Sequence, residues 1–338
     1  MSRVQTDLPP ELRAGLDSIT EHLPRRALAE RASAVSAAYR AGRGSTDAIY
    51  SGVSALAYAM ARLPATFAAT TAVLAALGEA APDFAPRSLV DVGAGPGTAS
   101  WAAAARFPSL AAMRLIDNND HMNHVAFRLL QFATVAALRR AQYDFGDARQ
   151  FLKWITPADL VIASYYIGEL PGDELLCSAE ALWSRTAGLL VIIEPGTPAG
   201  FRRIRDVRAH LIGQGAHVLC PCPHDLACPL VGDDWCHFAQ RLNRSRDHRQ
   251  VKEAVLSFED EKFSYVVLTR ERPATRRGDR VLAPPRVTKA AITTKLCTPN
   301  GLVEDVASRR DRDAYKMRKR WRWGDAVDRS AQVNETTE

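Results

Sequence analysis

Four of the six cysteines in this chain, Cys220, Cys222, Cys228 and Cys236, fall in one nineteen-residue stretch, CPCPHDLACPLVGDDWCHF. Cys222, Cys228 and Cys236 form C-x5-C-x7-C, and Cys297 follows in LCTPNG. Thiolates presented from loops suit a tetrahedral metal ion or an iron–sulfur cluster. Pro221, Pro223 and Pro229 remove backbone donors and stiffen the approach, so local folding depends on what the thiolates hold. Other readings stay open. A structural zinc could recruit His224 or His237, although zinc knuckles favour C-x2-C pairs and none occurs. Buried thiols are a third reading, and a redox dithiol is a fourth, for which C-x-C at 220–222 is a poor match to C-x-x-C. Spacing alone leaves cluster and zinc level.

A second constellation is DVGAGPGTAS, residues 91–100. Gly93, Gly95 and Gly97 lie between an expected strand and an expected helix, where the backbone must turn tightly and a ligand must approach without meeting a Cβ. Helix N-terminal N–H groups then face the ligand. Asp117 closes the next strand, where a carboxylate can accept ribose hydroxyls. This predicts a nucleoside site, and the spacing would also admit a dinucleotide. With Asp91 two residues before Gly93, the loop resembles motif I of class I S-adenosylmethionine-dependent methyltransferases. That resemblance implies S-adenosylmethionine as cofactor, Asp147 in FGDAR near the adenine, and ASYYIGELP (163–171), with Ser164, beside the methyl group. The chain departs from the D/N-P-P-Y motif of amine methyltransferases, having Ser164-Tyr165-Tyr166. No catalytic residue is assigned: Glu169 reads as a base or a cap, and Cys177 as a core residue of a helix. Methyl transfer to RNA is an expectation left open.

These sites need elements to hold them. Residues 1–84 are Ala-rich with helical spacing; Pro24 and Pro64 suit helix starts, and Gly42 and Gly44 a break. From Arg87, short apolar runs (SLVDVG, MRLID, ADLVIASY, GLLVIIEP) alternate with helical segments (TASWAAAARF, MNHVAFRLLQFATVAALRRA, DELLCSAEALWSRT, FRRIRDVRAHLIGQG). That alternation predicts an α/β fold with a doubly wound, Rossmann-like sheet over 85–212. Residues 213–338 form a cysteine-rich, basic extension completing the sheet, with a helix near RDHRQVKEAVL and a strand at FSYVVLTR. Residues 1–200 carry 17 Lys and Arg against 19 Asp and Glu, whereas 201–338 carry 27 against 19. A basic half attracts polyanions. RRIRDVR (202–208) reads as solvated helix surface. RLNRSRDHR (241–249), RPATRRGDR (272–280) and YKMRKRWRW (315–323) are candidate RNA contacts, with Tyr315, Trp321 and Trp323 available to stack on bases. No apolar run reaches the ~18 residues of a membrane span, so no membrane partner is expected. The opening lacks a signal-peptide core, and Asp7, Glu11, Asp17 and Glu21 argue against an import presequence. A cytoplasmic monomer with reduced thiols is expected.

PCPHDLACPL, DWCHF, RLNRSRDHR, FEDEKFSYV and LCTPNG together resemble the methyltransferase-like protein 17 family, mitochondrial small-ribosomal-subunit assembly proteins and their bacterial relatives. The likeness runs from about residue 85 to the terminal WGD. It implies a factor that binds small-subunit ribosomal RNA. It also implies a [4Fe–4S] cluster on Cys222, Cys228, Cys236 and Cys297, with Cys220 a strand residue beside it and the two histidines outside the ligand set.

Overall fold

The computed structural model describes residues 7–40, 44–252, 254–274 and 278–329. Four helices open it: α1 (Pro10–Thr20), α2 (Arg25–Arg40), α3 (Ser45–Ala48) and α4 (Gly52–Ala80). Gly42, expected at a break, lies outside the described residues. Pro64 does not start a helix; it sits inside α4. A proline there removes a backbone donor and pushes on the preceding turn. Nearby carbonyls of α4 gain side-chain partners: the buried His248 ring bonds Ala61 O at 3.2 Å, and Thr66 Oγ1 donates to Arg62 O at 3.1 Å. Contrary to the expectation of no such segment, α4 is long and apolar enough to cross a membrane by length and composition. Two thirds of its apolar window is buried inside the protein, where it packs on α2 and the sheet helices as a core element.

The alternating region then runs β1 (Ser88–Val92), α5 (Thr98–Arg106), β2 (Ala112–Asp117), α6 (Asp120–Leu130), α7 (Ala136–Arg139), β3 (Gln142–Phe145), α8 (Ala148–Phe151), β4 (Ala158–Ser164), α9 (Leu175–Ser184), β5 (Thr186–Pro195) and α10 (Pro198–Gly213). The long helix expected over MNHVAFRLLQFATVAALRRA is two, α6 and α7, split by a turn in which Phe132 N bonds Leu129 O. After α10 come β6 (His217–Cys220), β7 (Phe238–Asn243), α11 (Arg246–Val251) and β8 (Phe258–Thr269). The main sheet has the order β3-β2-β1-β4-β5-β8-β6, with β7 pairing β8. The strands β3 to β5 are parallel, and β8 runs antiparallel to β5, β6 and β7. This is the doubly wound, methyltransferase-like arrangement. Side chains on a strand alternate between faces. Accordingly Leu89, Leu160, Ile162, Val191 and Ile193 pack with α4 and α5, while Val90, Val92, Val161, Ala163 and Ile192 pack with α9 and α10. Strands covered on both faces read as continuous apolar runs, which is why GLLVIIEP was legible.

The last third divides. Residues 217–269 finish the main sheet. A second, five-stranded sheet is built from β9 (Asp279–Val281), β10 (Arg286–Val287), β11 (Ala291–Thr298), β12 (Gly301–Ser308) and β13 (Ala326–Val327), with α12 (Arg312–Arg318) between the last two. Its centre is β11, paired with β12 on one side and with β9 and β10 on the other.

An ion pair joins α4 to the sheet. Arg62 donates to both oxygens of Glu261 on β8, at 3.2 and 2.9 Å, and the Tyr165 hydroxyl donates to the same carboxylate at 3.0 Å. The side chains are 29% and 12% exposed. Arg62→Met would leave Glu261 mostly buried without its cation. A fully buried pair broken this way costs ~3–5 kcal/mol, an exposed one under ~1. Urea unfolding of R62M is expected to show a loss of about 2 kcal/mol. A loss below ~0.5 kcal/mol, the usual surface value, would mean that solvent neutralises Glu261.

Candidate cofactor loop and cysteine centre

The strand order reverses between β1 and β4, and crevices at the carboxyl ends of such strands bind ligands. The loop after β1 stands there. Gly93, Gly95 and Gly97 all adopt positive φ (67°, 52° and 82°), which explains three glycines in five residues. Gly93 N and Ala94 N bond Ile116 O, tying the loop to β2. Asp91 is 1% exposed; its Oδ2 accepts Ser100 N at 3.0 Å and Ser100 Oγ at 2.7 Å, pinning the first turn of α5. Its Oδ1 is buried with no partner. Burial pushes the Asp91 carboxyl up to about 7. Asp117 accepts Gly95 N on one oxygen and Asn119 N on the other, each at 2.8 Å, and burial raises it to about 6. Tyr143 Oη donates to Gly95 O at 2.8 Å. A Cβ on Gly95 would meet nothing within 4 Å, so the loop is open at its centre.

Asp91, Gly93, Gly95, Gly97 and Asp117 are thus brought together. Asp147 stands on the rim, capping α8, with its carboxylate held by Arg149 Nε and Nη2 at 3.2 and 2.9 Å; those bonds keep it below the usual range. Ser164, at the end of β4, has its Oγ 3.4 Å from Thr70 Oγ1 of α4. The residues beside it are already engaged. Tyr165, at φ 58°, reaches away to Glu261, and Tyr166 lies against Gly93. Glu169 is exposed in a 3-10 turn at 167–169, and Gly168 N donates to the fully buried Glu194 at 3.1 Å. Burial first of all raises Glu194 to about 7, against the pull of Arg203 on α10. Cys177, expected in the core, is exposed; α9 turns Ser178, Ala179, Leu182 and Trp183 inward instead.

Between β6 and β7 the chain has no regular structure, and its ends are anchored. Trp235 Nε1 donates to Gly196 O at 3.1 Å, and Ser264 Oγ to Cys236 O at 2.8 Å. Cys222, Cys228 and Cys236 from this segment line one cavity together with Cys297 of β11. All six cysteines are free. Cys220 is a buried β6 residue in contact with Tyr265, outside that lining. Burial, then the neighbouring thiols, push Cys297 up to about 12 and Cys236 well above the usual thiol value. His224 Nε2 lies 3.9 Å from Cys297 Sγ. Among the described residues no three Cys, His, Asp or Glu groups converge on one point suited to a metal ion. A tetrahedral zinc with ~2.3 Å bonds would need sulfurs ~3.8 Å apart. The four thiols share a wall without closing on a point.

Two side chains in that wall escaped the sequence reading. Arg208 and Arg280 are 3% and 9% exposed, and among the described residues neither is paired with a carboxylate. The signal for Arg208 was present: it falls on the buried stripe of α10, with Phe201, Ile204 and Leu211, where an apolar residue belongs. RRIRDVR is therefore not all solvated surface.

A family model described as "Mitochondrial small ribosomal subunit Rsm22" matches residues 52–328. The chain belongs to that family. Among curated relatives, human "Ribosome assembly protein METTL17, mitochondrial" is 29% identical over 290 residues, 80% of this chain and 62% of the human one. Fission yeast "Rsm22-cox11 tandem protein 2, mitochondrial" is 24% identical, covering 83% of this chain and 44% of the relative. The chain therefore spans about half to three fifths of the length of these relatives. Among solved structures, magnesium protoporphyrin IX methyltransferase from Synechocystis is 14% identical, with a TM-score of 0.41 over 62% of this chain and 85% of that one. A likeness that loose decides nothing about ligands. The relatives overturn the cytoplasmic placement, since they are mitochondrial proteins by name. The acidic residues behind that expectation say nothing about targeting: Glu11 and Asp17 belong to α1, a packed helix of the fold.

In this Rsm22-family chain the basic stretches differ in what they leave free. In 241–249, Arg241 pairs with Asp260 at 2.7 Å and Arg244 with Glu259 at 2.6 Å, a carboxylate that Lys252 just beyond the stretch also meets at 2.6 Å. Arg276 and Arg277 lie outside the described residues. Around α12, Arg310, Arg312, Lys316, Lys319, Arg320 and Arg322 are exposed, and among the described residues none pairs with a carboxylate. The aromatics between them are not free to stack on bases. Trp321 packs on Val281, Leu296 and Val327 under the Arg318 guanidinium, and the Trp323 ring meets His237 at 4.9 Å. Trp321 fastens the segment to the second sheet, and Trp323 to the segment before β7.

Proposed function

We propose that this chain is an assembly factor of the small ribosomal subunit that binds ribosomal RNA through its basic C-terminal lobe. Four cysteines hold a [4Fe–4S] cluster that shapes this lobe, and the glycine loop holds S-adenosylmethionine. The observation carrying this reading is the shared cavity: thiols from two stretches 61 to 75 positions apart in sequence meet in one wall that contains three arginines and no carboxylate. What supports the cluster over zinc is that a polynuclear centre can span thiols that one ion would have to draw together. A metal centre takes these thiols as thiolates from two distant stretches of chain, so its binding and the folding of the lobe are linked. The exposed cations around α12 would meet RNA phosphates, with an affinity that falls as salt rises.

The loop residues suit the cofactor. Gly95 leaves room for it, Asp117 keeps lone pairs for ribose hydroxyls, and Asp91 Oδ1 lacks the donor that an ammonium group would supply. When bound, S-adenosylmethionine supplies an electrophilic methyl group. What this chain supplies at the end of β4 is the Tyr165–Tyr166 pair, already committed to Glu261 and Gly93. A structural or regulatory cofactor follows. The second reading, an active RNA methyltransferase, is favoured by the open centre of the loop.

Protein purified without oxygen is expected to contain iron and acid-labile sulfide, to bind small-subunit particles in a salt-dependent way, and to bind labelled cofactor without labelling RNA. Absence of iron and sulfide sinks the cluster. Failure to bind the particles sinks the assembly role. Stoichiometric label on RNA establishes the second reading.

A further inference from the structure

We infer that Arg208, with Arg280 beside it, is the built-in counter-charge of the cysteine centre, positioning an anionic, thiolate-ligated cofactor; this rests on the cluster reading above. Arg208 reaches the cavity from α10, where its Nη2 donates to His224 O at 2.7 Å and its Nε is buried without a partner. Arg280 stands opposite Cys297 in the β9–β11 ladder, so both side chains leave the same face. It donates to Pro221 O at 2.7 Å and to Gly324 O at 2.5 Å. All three acceptors are neutral carbonyls. Asp279, next to Arg280, is taken by Arg329 at 2.6 Å. Two deeply buried guanidiniums are thus held in a thiol-lined wall whose lining contains no carboxylate, while the third arginine there, Arg205, pairs with Asp206 at 3.3 Å. A charge buried this way is strongly unfavourable unless a counter-charge arrives. Four thiolates on a cluster core are net negative and supply it. Arg208 also holds the backbone of His224, whose ring contacts Cys297, so the same side chain sets charge and loop position together.

A merely structural hydrogen bond would behave differently, and Arg208→Gln separates the two, since glutamine can still donate to a carbonyl but carries no charge. In the cluster-loaded full chain, R208Q is expected to lose iron to a chelator about tenfold faster, the usual scale for groups supporting metal ligands. Its reduction potential should move negative, because the more negative reduced state loses a cation. In the cluster-free chain the sign reverses: R208Q should unfold at higher urea than wild type, having lost an unbalanced charge. R208K should restore retention and potential, and R280Q should move the potential as R208Q does. Retention and potential in R208Q equal to wild type, or a cluster-free R208Q less stable than wild type, would overturn the inference while leaving the cluster in place. A wild-type chain without iron and sulfide overturns both. Should R208Q fail to fold when loaded, an unchanged potential in R280Q decides against the proposal.

Discussion

Replacing Cys222 and Cys297 with serine is expected to abolish iron and sulfide binding and to release the second sheet as a protease-sensitive segment, while the glycine-loop sheet stays folded. The two cysteines belong to different parts of the chain: one follows β6, the other sits on β11. The apolar cluster around Cys297 is small: Phe201, Leu230, Leu282 and Cys297, with Cys228, Trp235 and Cys236 packed on it, while Cys222 packs on the core under α10. Four side chains of that size hold only a few kcal/mol at ~25 cal/mol per Å² buried. A structural metal centre contributes on the order of 10 kcal/mol, more than the whole margin of many domains. Its loss should dominate. Limited proteolysis is expected to cut first within 270–329, with a second, cluster-dependent transition in the unfolding curve, and RNA affinity should fall with it. Cys177→Ser is the matched control, since that thiol is exposed on α9. Should the doubly substituted chain stay protease-resistant and bind small-subunit particles as well as wild type, the cluster has no part in shaping the lobe.

The second large effect is a contrast between two alanines in the glycine loop. A Cβ on Gly93 would lie 2.6 to 2.9 Å from Tyr166 side-chain atoms, whereas one on Gly95 meets nothing within 4 Å. Both positions have positive φ, so each alanine costs ~1–2 kcal/mol of backbone strain. Gly93→Ala adds an overpacking cost of ~1–3 kcal/mol against Tyr166. Gly95→Ala leaves the fold nearly intact but places a methyl group where a ligand must pass. Thermal unfolding is therefore expected to separate them, with G93A much the less stable. Equilibrium binding of labelled S-adenosylmethionine should fall by more than tenfold in G95A even though that protein is folded. Undiminished binding by G95A would move the cofactor away from this loop.

The glycine loop was legible because its constraints are local. Three positive-φ positions, a buried strand before and a helix after are properties of ten consecutive residues, and DVGAGPGTAS displays all of them. The doubly wound sheet was legible for a similar reason, since strands covered on both faces must be apolar throughout. Pro64 was misread because a proline inside a helix is held there by surrounding packing, and α4 is buried along most of its length by elements distant in sequence. β6 and β7 left no clear trace: HVLC and FAQRLN are too short to show a period, and they form because β8 offers them an edge. Trp321 and Trp323 looked available for bases until the second sheet supplied Val281 and Leu296, and the segment before β7 supplied His237, as partners.

By itself, then, the amino-acid order determined the buried strands β1, β2, β4 and β5, the glycine turn and the grouping of three cysteines within fifteen residues, because each follows from dihedral preference, periodicity or spacing along a short piece of chain. The tertiary structure alone decided that Cys297 shares their wall, that Arg208 is buried there without an anion, and which cations around α12 stay free. Those outcomes depend on burial and strand register between segments far apart in sequence, and no local preference carries that information.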